Sequence, residues 1–278
     1  MIVRWLKQIK NKFMILKRLV ILTTLFISSF CVNGQEKNGN TDTKETKTYS
    51  KPEQTEVYTP VPEIVKPYSQ NGVPSDAIVL FDGSNLDEWV MVRGGGVPTW
   101  KLDTANKTMT IDKGVEKKNA TLKTKKKFGS MQLHLEWKSP KNTGKKGQDR
   151  GNSGIYIQER YEVQILDNND NETYTNGQVG SVYKQTVPLA NALVPTEKWN
   201  TYDIIFHAPK FENEKLVAPA TITLLHNGVL VLDDFTIQGA TEYIGLPSYK
   251  AHGKASIKLQ DHESAVGFRN IWVRELDE

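Results

Sequence analysis

The chain has 278 residues, 38% of them apolar, and a formal charge of +4 that is concentrated at the N-terminus: residues 1–34 hold six Lys and Arg and no acid. Without that stretch the balance turns to −2, so the basic character is no argument for a nucleic-acid partner. The single cysteine, Cys31, excludes a disulfide-built scaffold, and a hydrophobic core must hold the fold instead.

Residues 1–34 read as an export signal. Lys17 and Arg18 precede an apolar run from Leu19 to Phe30, and Met14 opens a complete basic region of its own. Twelve residues fit the core of a signal and fall short of the ~20 needed to span a bilayer. Two ends compete. Cys31 could carry a lipid, but Phe30 is bulky where a small residue is usual. Cleavage after Gly34, with Val32 and Gly34 at the recognition positions, fits better. The expected address is periplasmic or extracellular, with no membrane span after cleavage.

Residues 35–75 read as a disordered linker. Thr41 to Thr48 is a Thr/Lys/Glu run without apolar periodicity, and Pro52, Pro60, Pro62, Pro67 and Pro74 stiffen the rest of the linker. Residues 76–278 read as one all-β domain. Met131, Leu133, Leu135 and Trp137 alternate with polar residues, as do Ile204 and Phe206, Ile257 and Leu259, and Ile271 and Val273. Asn227-Gly228 between two apolar runs is a strong hairpin signal. No helical periodicity is found after the signal. About a dozen short strands with Gly, Asn and Pro turns predict a two-sheet antiparallel sandwich.

The segment Asp149 to Asp167 carries the clearest functional pattern. It predicts two strands joined at Glu159-Arg160. Ser153, Ile155, Ile157, Val163 and Ile165 share an aliphatic face. Asn152, Tyr156, Gln158, Glu162 and Gln164 share the other. Amides, a carboxylate and an aromatic ring on one face suit a carbohydrate, with its hydroxyl edges and flat apolar side. An ordinary solvated sheet face is the competing reading.

Several segments, in order, resemble the 3-keto-disaccharide (3-keto-glycoside) hydrolase family of exported bacterial proteins. They are Leu80 to Trp89, Asn152 to Tyr156, Tyr161 to Asp167, Glu197 to Tyr202, Leu225 to Val229, Leu259 to His262 and Phe268 to Ile271. The resemblance implies a concanavalin-A-like jelly roll with a sugar site on its concave sheet. The loop Ser139 to Gln148 departs from the family pattern in being longer and more basic.

Conventional glycosidases use two carboxyl groups about 5 to 10 Å apart. Here Glu162 and Asp167 have opposite strand parity and an extended separation of about 16 Å, although Glu136 or Asp261 could supply a second acid. A 3-keto sugar needs only a base for the acidified C2 proton and something positive for the enolate oxygen. Glu162 and His262 are the candidate catalytic residues. Asn152, Tyr156, Gln164, Gln260 and Arg269 are the candidate substrate-binding residues, and Arg269 or a divalent metal ion is the candidate enolate partner. Arg269 also reads as an arginine paired to a carboxylate at the core edge, and Asp167 as a turn cap. The expectation is net hydrolysis of 3-keto-glycosides by elimination and hydration, with a non-catalytic carbohydrate-binding module as the alternative.

Overall fold

The structure, a computed structural model, describes residues 48–67, 72–112, 114 and 119–276. The export signal and both of its candidate ends lie outside them. The chain divides into two units, one ending at Val61 and the other beginning at Pro62. In the first, the described residues are exposed and their one regular element is a 3-10 turn, Pro52–Thr55. In the second, Lys66 and Ser75 exchange two hydrogen bonds of 3.0 Å and Val73 is buried.

The second unit is built of strands, and its described residues contain no α-helix. In chain order they are β1 (Ile78–Phe81), β2 (Trp89–Met91), β3 (Lys101–Asp103), β4 (Thr108–Thr110), β5 (Leu122–Thr124), β6 (Met131–Lys138), β7 (Ser153–Ile157) and β8 (Tyr161–Ile165). Then come β9 (Asn200–His207), β10 (Lys210–Glu212), β11 (Lys215–Ala218), β12 (Thr221–His226), β13 (Val229–Thr236), β14 (Lys258–Leu259) and β15 (Gly267–Glu275). An eight-stranded sheet runs β13-β12-β9-β6-β15-β4-β3, with β1 also on β15. A five-stranded sheet runs β2-β5-β14-β7-β8, and β10-β11 is a separate hairpin. Neighbours pair antiparallel throughout. This is the two-sheet antiparallel sandwich that the period-two runs predict, and it agrees with the jelly roll that the family resemblance implies.

The core lies between the two sheets. β6 contributes Met131, Leu133, Leu135 and Trp137, and β9 contributes Tyr202, Ile204 and Phe206. Ile155, Ile157, Tyr161, Val163 and Ile165 face them from β7 and β8. Two contacts tie the sheets together: the Tyr161 and Phe206 rings lie 5.8 Å apart, and the Tyr202 hydroxyl donates to the Gln164 carbonyl at 2.8 Å.

Two local features differ from the sequence reading. The β7–β8 turn places Gln158 (φ 51°) and Glu159 (φ 60°) at its centre, closed by Arg160 N–H to the Ile157 carbonyl at 3.1 Å. That is one residue earlier than Glu159-Arg160, because the chain adopts the doubly left-handed turn that matches strand twist. Gln158 thereby leaves the polar face; it is buried and donates to the Phe128 carbonyl at 3.0 Å. In β15 the pairing with β6 slips between Arg269 and Trp272, where Asn270 has φ 47°. This bulge inserts one residue. It breaks the parity that put Arg269 in line with Ile271 and Val273.

Candidate active site

The site grows out of the pairing of β7 with β8. Gly154 faces Gln164 and Tyr156 faces Glu162, while Ile155 and Val163 point into the core. β14 continues the row, with Lys258 opposite Tyr156. The outward face of the five-stranded sheet thus carries Tyr156, Glu162, Gln164 and Lys258 side by side. Gly154 lies in the same row and has no side chain to contribute. A Cβ there would collide with the Glu162 carboxylate, which lies across the strand at that point. Its φ is ordinary, so glycine is needed here for space.

Over this face opens a cavity of about 390 Å³, within the usual range for small-ligand sites. Asn152, Tyr156, Glu162, Gln164 and Gln260 line it, with His262, Gln148 and Asp149 beside them; Tyr174, Tyr183, Tyr243 and Thr241 complete the wall. Gln164 Nε2 donates to Gln148 Oε1 at 3.1 Å, and Asn152 Nδ2 to the Gln148 carbonyl at 2.6 Å. Gln260 Nε2 donates to the Tyr156 hydroxyl at 3.3 Å. The Gln260 backbone is fixed on β7: its N–H donates to Gly154 O at 2.9 Å, and its carbonyl accepts from Ser153 Oγ at 2.7 Å. Among the site residues, two amide oxygens, Gln164 Oε1 and Gln260 Oε1, are buried without a hydrogen-bond partner, which is costly.

Glu162 is only 4% exposed. Burial pushes its carboxyl up to about 7, against a hydrogen bond from Tyr156 and the charge of Lys258. A carboxylate poised there is suited to proton transfer at neutral pH. Lys258 Nζ sits 3.8 Å from the Tyr156 ring centroid. Its own pKa is lowered by burial, with Glu162 and Glu159 opposing. Burial also raises the Tyr156 and Tyr183 hydroxyls, Tyr174 adding to the second and the nearby Glu162 charge to both, so both are neutral.

The structure brings together six of the seven residues singled out from sequence. His262 stands exposed while Glu162 is buried. The seventh, Arg269, is corrected: it lies on the outer face of the other sheet. It contacts Glu136 Oε2 at 2.6 Å and lies 4.3 Å from the Trp199 ring centroid. The bulge at Asn270 puts it there, and the paired-arginine reading describes its environment. The possible second acids are likewise engaged elsewhere. Glu136 holds Arg269. Asp261 accepts the Ala120 and Glu263 amides at 2.9 and 3.0 Å. Asp167 is buried against Arg150 at 3.0 Å and Thr196 at 2.8 Å, and accepts the Asn169 amide at 3.1 Å, as a turn cap does.

No three His, Cys, Asp or Glu side chains gather to hold a metal ion among the described residues. The cavity pairs one buried carboxylate with amides and phenols, with exposed Asp149 and His262 beside them. The amides and phenols suit sugar hydroxyls.

Sequence reasoning missed Gln148, Asp149, Thr241 and three tyrosines, all contributed by loops. Trp89, Trp100 and Trp137 are core, as tryptophans are by default, the first two donating to the Leu80 and Ala120 carbonyls.

The sequence profile of a family described as the 3-keto-alpha-glucoside-1,2-lyase-like domain matches residues 76–274. Among solved structures, a protein of Parabacteroides distasonis provisionally designated a glycosyl hydrolase is similar with a TM-score of 0.75 and 45% identity, over 81% of this chain and 97% of that one. Another protein of the same organism and designation gives 0.52 at 20% identity, over 72% and 94%, and speaks for the fold alone. A comparison with curated proteins found no match.

Proposed function

Because the chain belongs to the 3-keto-alpha-glucoside-1,2-lyase-like family, a carbohydrate-active one, we propose that it is an exported enzyme that cleaves 3-keto-glycosides by elimination followed by hydration. The observation that carries this reading is Glu162: a buried carboxylate held near neutral pKa among hydrogen-bonding amides.

The C3 ketone acidifies the proton on C2. Glu162 takes that proton, and the C2–H electron pair becomes the enolate on O3. The second N–H of Gln260 Nε2, whose first goes to the Tyr156 hydroxyl, holds the developing negative charge. The enolate then reforms the ketone, a C1–C2 double bond appears, and the C1–O bond breaks with its electrons going to the aglycone oxygen. That oxygen needs a proton, and the exposed imidazole of His262 is the candidate donor. Water then adds its oxygen to C1 and a proton returns to C2. The sum is hydrolysis; without the last step it is a 1,2-lyase reaction. Asn152 and Gln148 orient the remaining hydroxyls.

Incubation with a 3-keto-glucoside tests the proposal. Release of the aglycone with 3-keto-glucose or the unsaturated sugar is the expected result. Tight sugar binding without any product would favour a carbohydrate-binding module instead.

A further inference from the structure

The cavity wall away from the amide floor is of a different chemistry. Tyr174 and Tyr183 meet hydroxyl to hydroxyl at 2.5 Å, one donating to the other. Lys184 lies over three rings, 4.6 Å from the centroid of Tyr243, 5.5 Å from Tyr183 and 5.8 Å from Tyr174. Its Nζ also donates to the Tyr243 carbonyl at 2.6 Å.

The loop carrying Tyr243 is fixed at three points. Thr241 Oγ1 accepts the Glu162 amide at 3.0 Å. Thr241 N–H reaches the Arg160 carbonyl at 2.9 Å, and Ala240 N–H reaches Ser248 O at 3.0 Å. Beyond these anchors the tip exposes Tyr243 at 74%, Ile244 at 84% and Leu246 at 88%. A tip so well anchored and so apolar is unusual for a solvated loop, and it continues the cavity wall through Tyr243.

We infer that this tyrosine wall and apolar tip form the aglycone subsite, and that it selects flat aromatic aglycones over a second sugar. The inference rests on the 3-keto-glycoside reading. The amide floor supplies the hydrogen bonds a sugar ring requires. The wall offers ring faces, and then Ile244 and Leu246, whose aliphatic side chains have no hydrogen bond to give a second sugar's hydroxyls. An aryl group needs none and gains by stacking on Tyr243.

Two measurements test it. The first is binding without turnover, by calorimetry, of unoxidised phenyl glucoside and methyl glucoside. The expected result is phenyl glucoside about tenfold tighter, the advantage lost in Tyr243→Ala and kept in Tyr243→Phe. The exposure of Tyr243 makes the fold insensitive to these changes, which a thermal melt checks. Equal weakening of both ligands by Tyr243→Ala, or no weakening, overturns the subsite. The second is kcat/KM for a phenyl 3-keto-glucoside and a 3-keto-disaccharide of matched anomeric form. Tyr243→Ala is expected to lower the first about tenfold through KM and the second less than threefold, a split that leaving-group chemistry alone does not give. Equal losses overturn the inference. If neither substrate is cleaved while phenyl binding depends on Tyr243, the reaction fails and the apolar subsite stands.

Discussion

Glu162 combines burial with ionisation, and that combination makes two pH predictions. Its carboxyl sits at about 7 where 4.5 is ordinary. The folded state therefore holds the proton more tightly than the unfolded chain. The associated stability is fully present below about 4.5 and is lost as pH rises to about 7, by at most about 3 kcal/mol. Urea denaturation across this window should show the loss in the wild type and not in Glu162→Gln. Activity should move the opposite way, because a base must be ionised. The acid limb of kcat/KM is expected to titrate near 7, and Glu162→Gln to lose about a hundredfold or more with the limb removed. His262→Ala should reduce turnover as well, with little change in melting because His262 is exposed. The sequence made Glu162 legible through its parity with Gln164. Arg269 was read both as a binding residue and as an arginine paired to a carboxylate, and the single inserted residue in β15 that decides between the two leaves no composition signal.

At the scale of elements, the β7–β8 hairpin is the platform on which the chemistry depends. Gly154→Ala places a methyl where the Glu162 carboxylate lies. The carboxylate end must swing aside, so kcat should fall at least tenfold while the melt changes modestly, about 1 kcal/mol of overpacking. Asp167 answers a different question. It is buried and holds Arg150, Thr196 and Asn169 at the exit of β8. Asp167→Ala is expected to cost about 3 kcal/mol in urea denaturation by leaving a partly buried arginine unpaired. The strands β6, β9 and β12 were legible from alternation alone, because each has one face in the core. The Asn227-Gly228 turn was legible because both of its residues have positive φ, 52° and 78°. The loops holding Tyr174, Tyr183 and Tyr243 were not, since loops have no period and their approach to the cavity depends on anchors such as Thr241 to Glu162 that are distant in sequence.

For the whole molecule, one sheet face carries a polar row and a cavity, while the outer face of the other carries ion pairs such as Arg269 with Glu136. No helix among the described residues is long and apolar enough to cross a membrane. Export remains part of the proposal: mass spectrometry of the secreted protein should find Gln35 at its N-terminus, and a lipid-modified Cys31 would show that the other processing route operates. Chemistry that needs the C3 ketone should leave ordinary disaccharides intact. Among the described residues Asp149 alone offers a second carboxylate at the cavity, and it is exposed. The central claim is most directly tested by one comparison: cleavage of a 3-keto-glucoside and of its unoxidised parent by wild type and by Glu162→Gln, with a melt for each protein. The account predicts that wild type cleaves only the keto sugar and that the variant, still folded, has lost this activity about a hundredfold or more. Equal cleavage of both sugars, or full activity in Glu162→Gln, would contradict it.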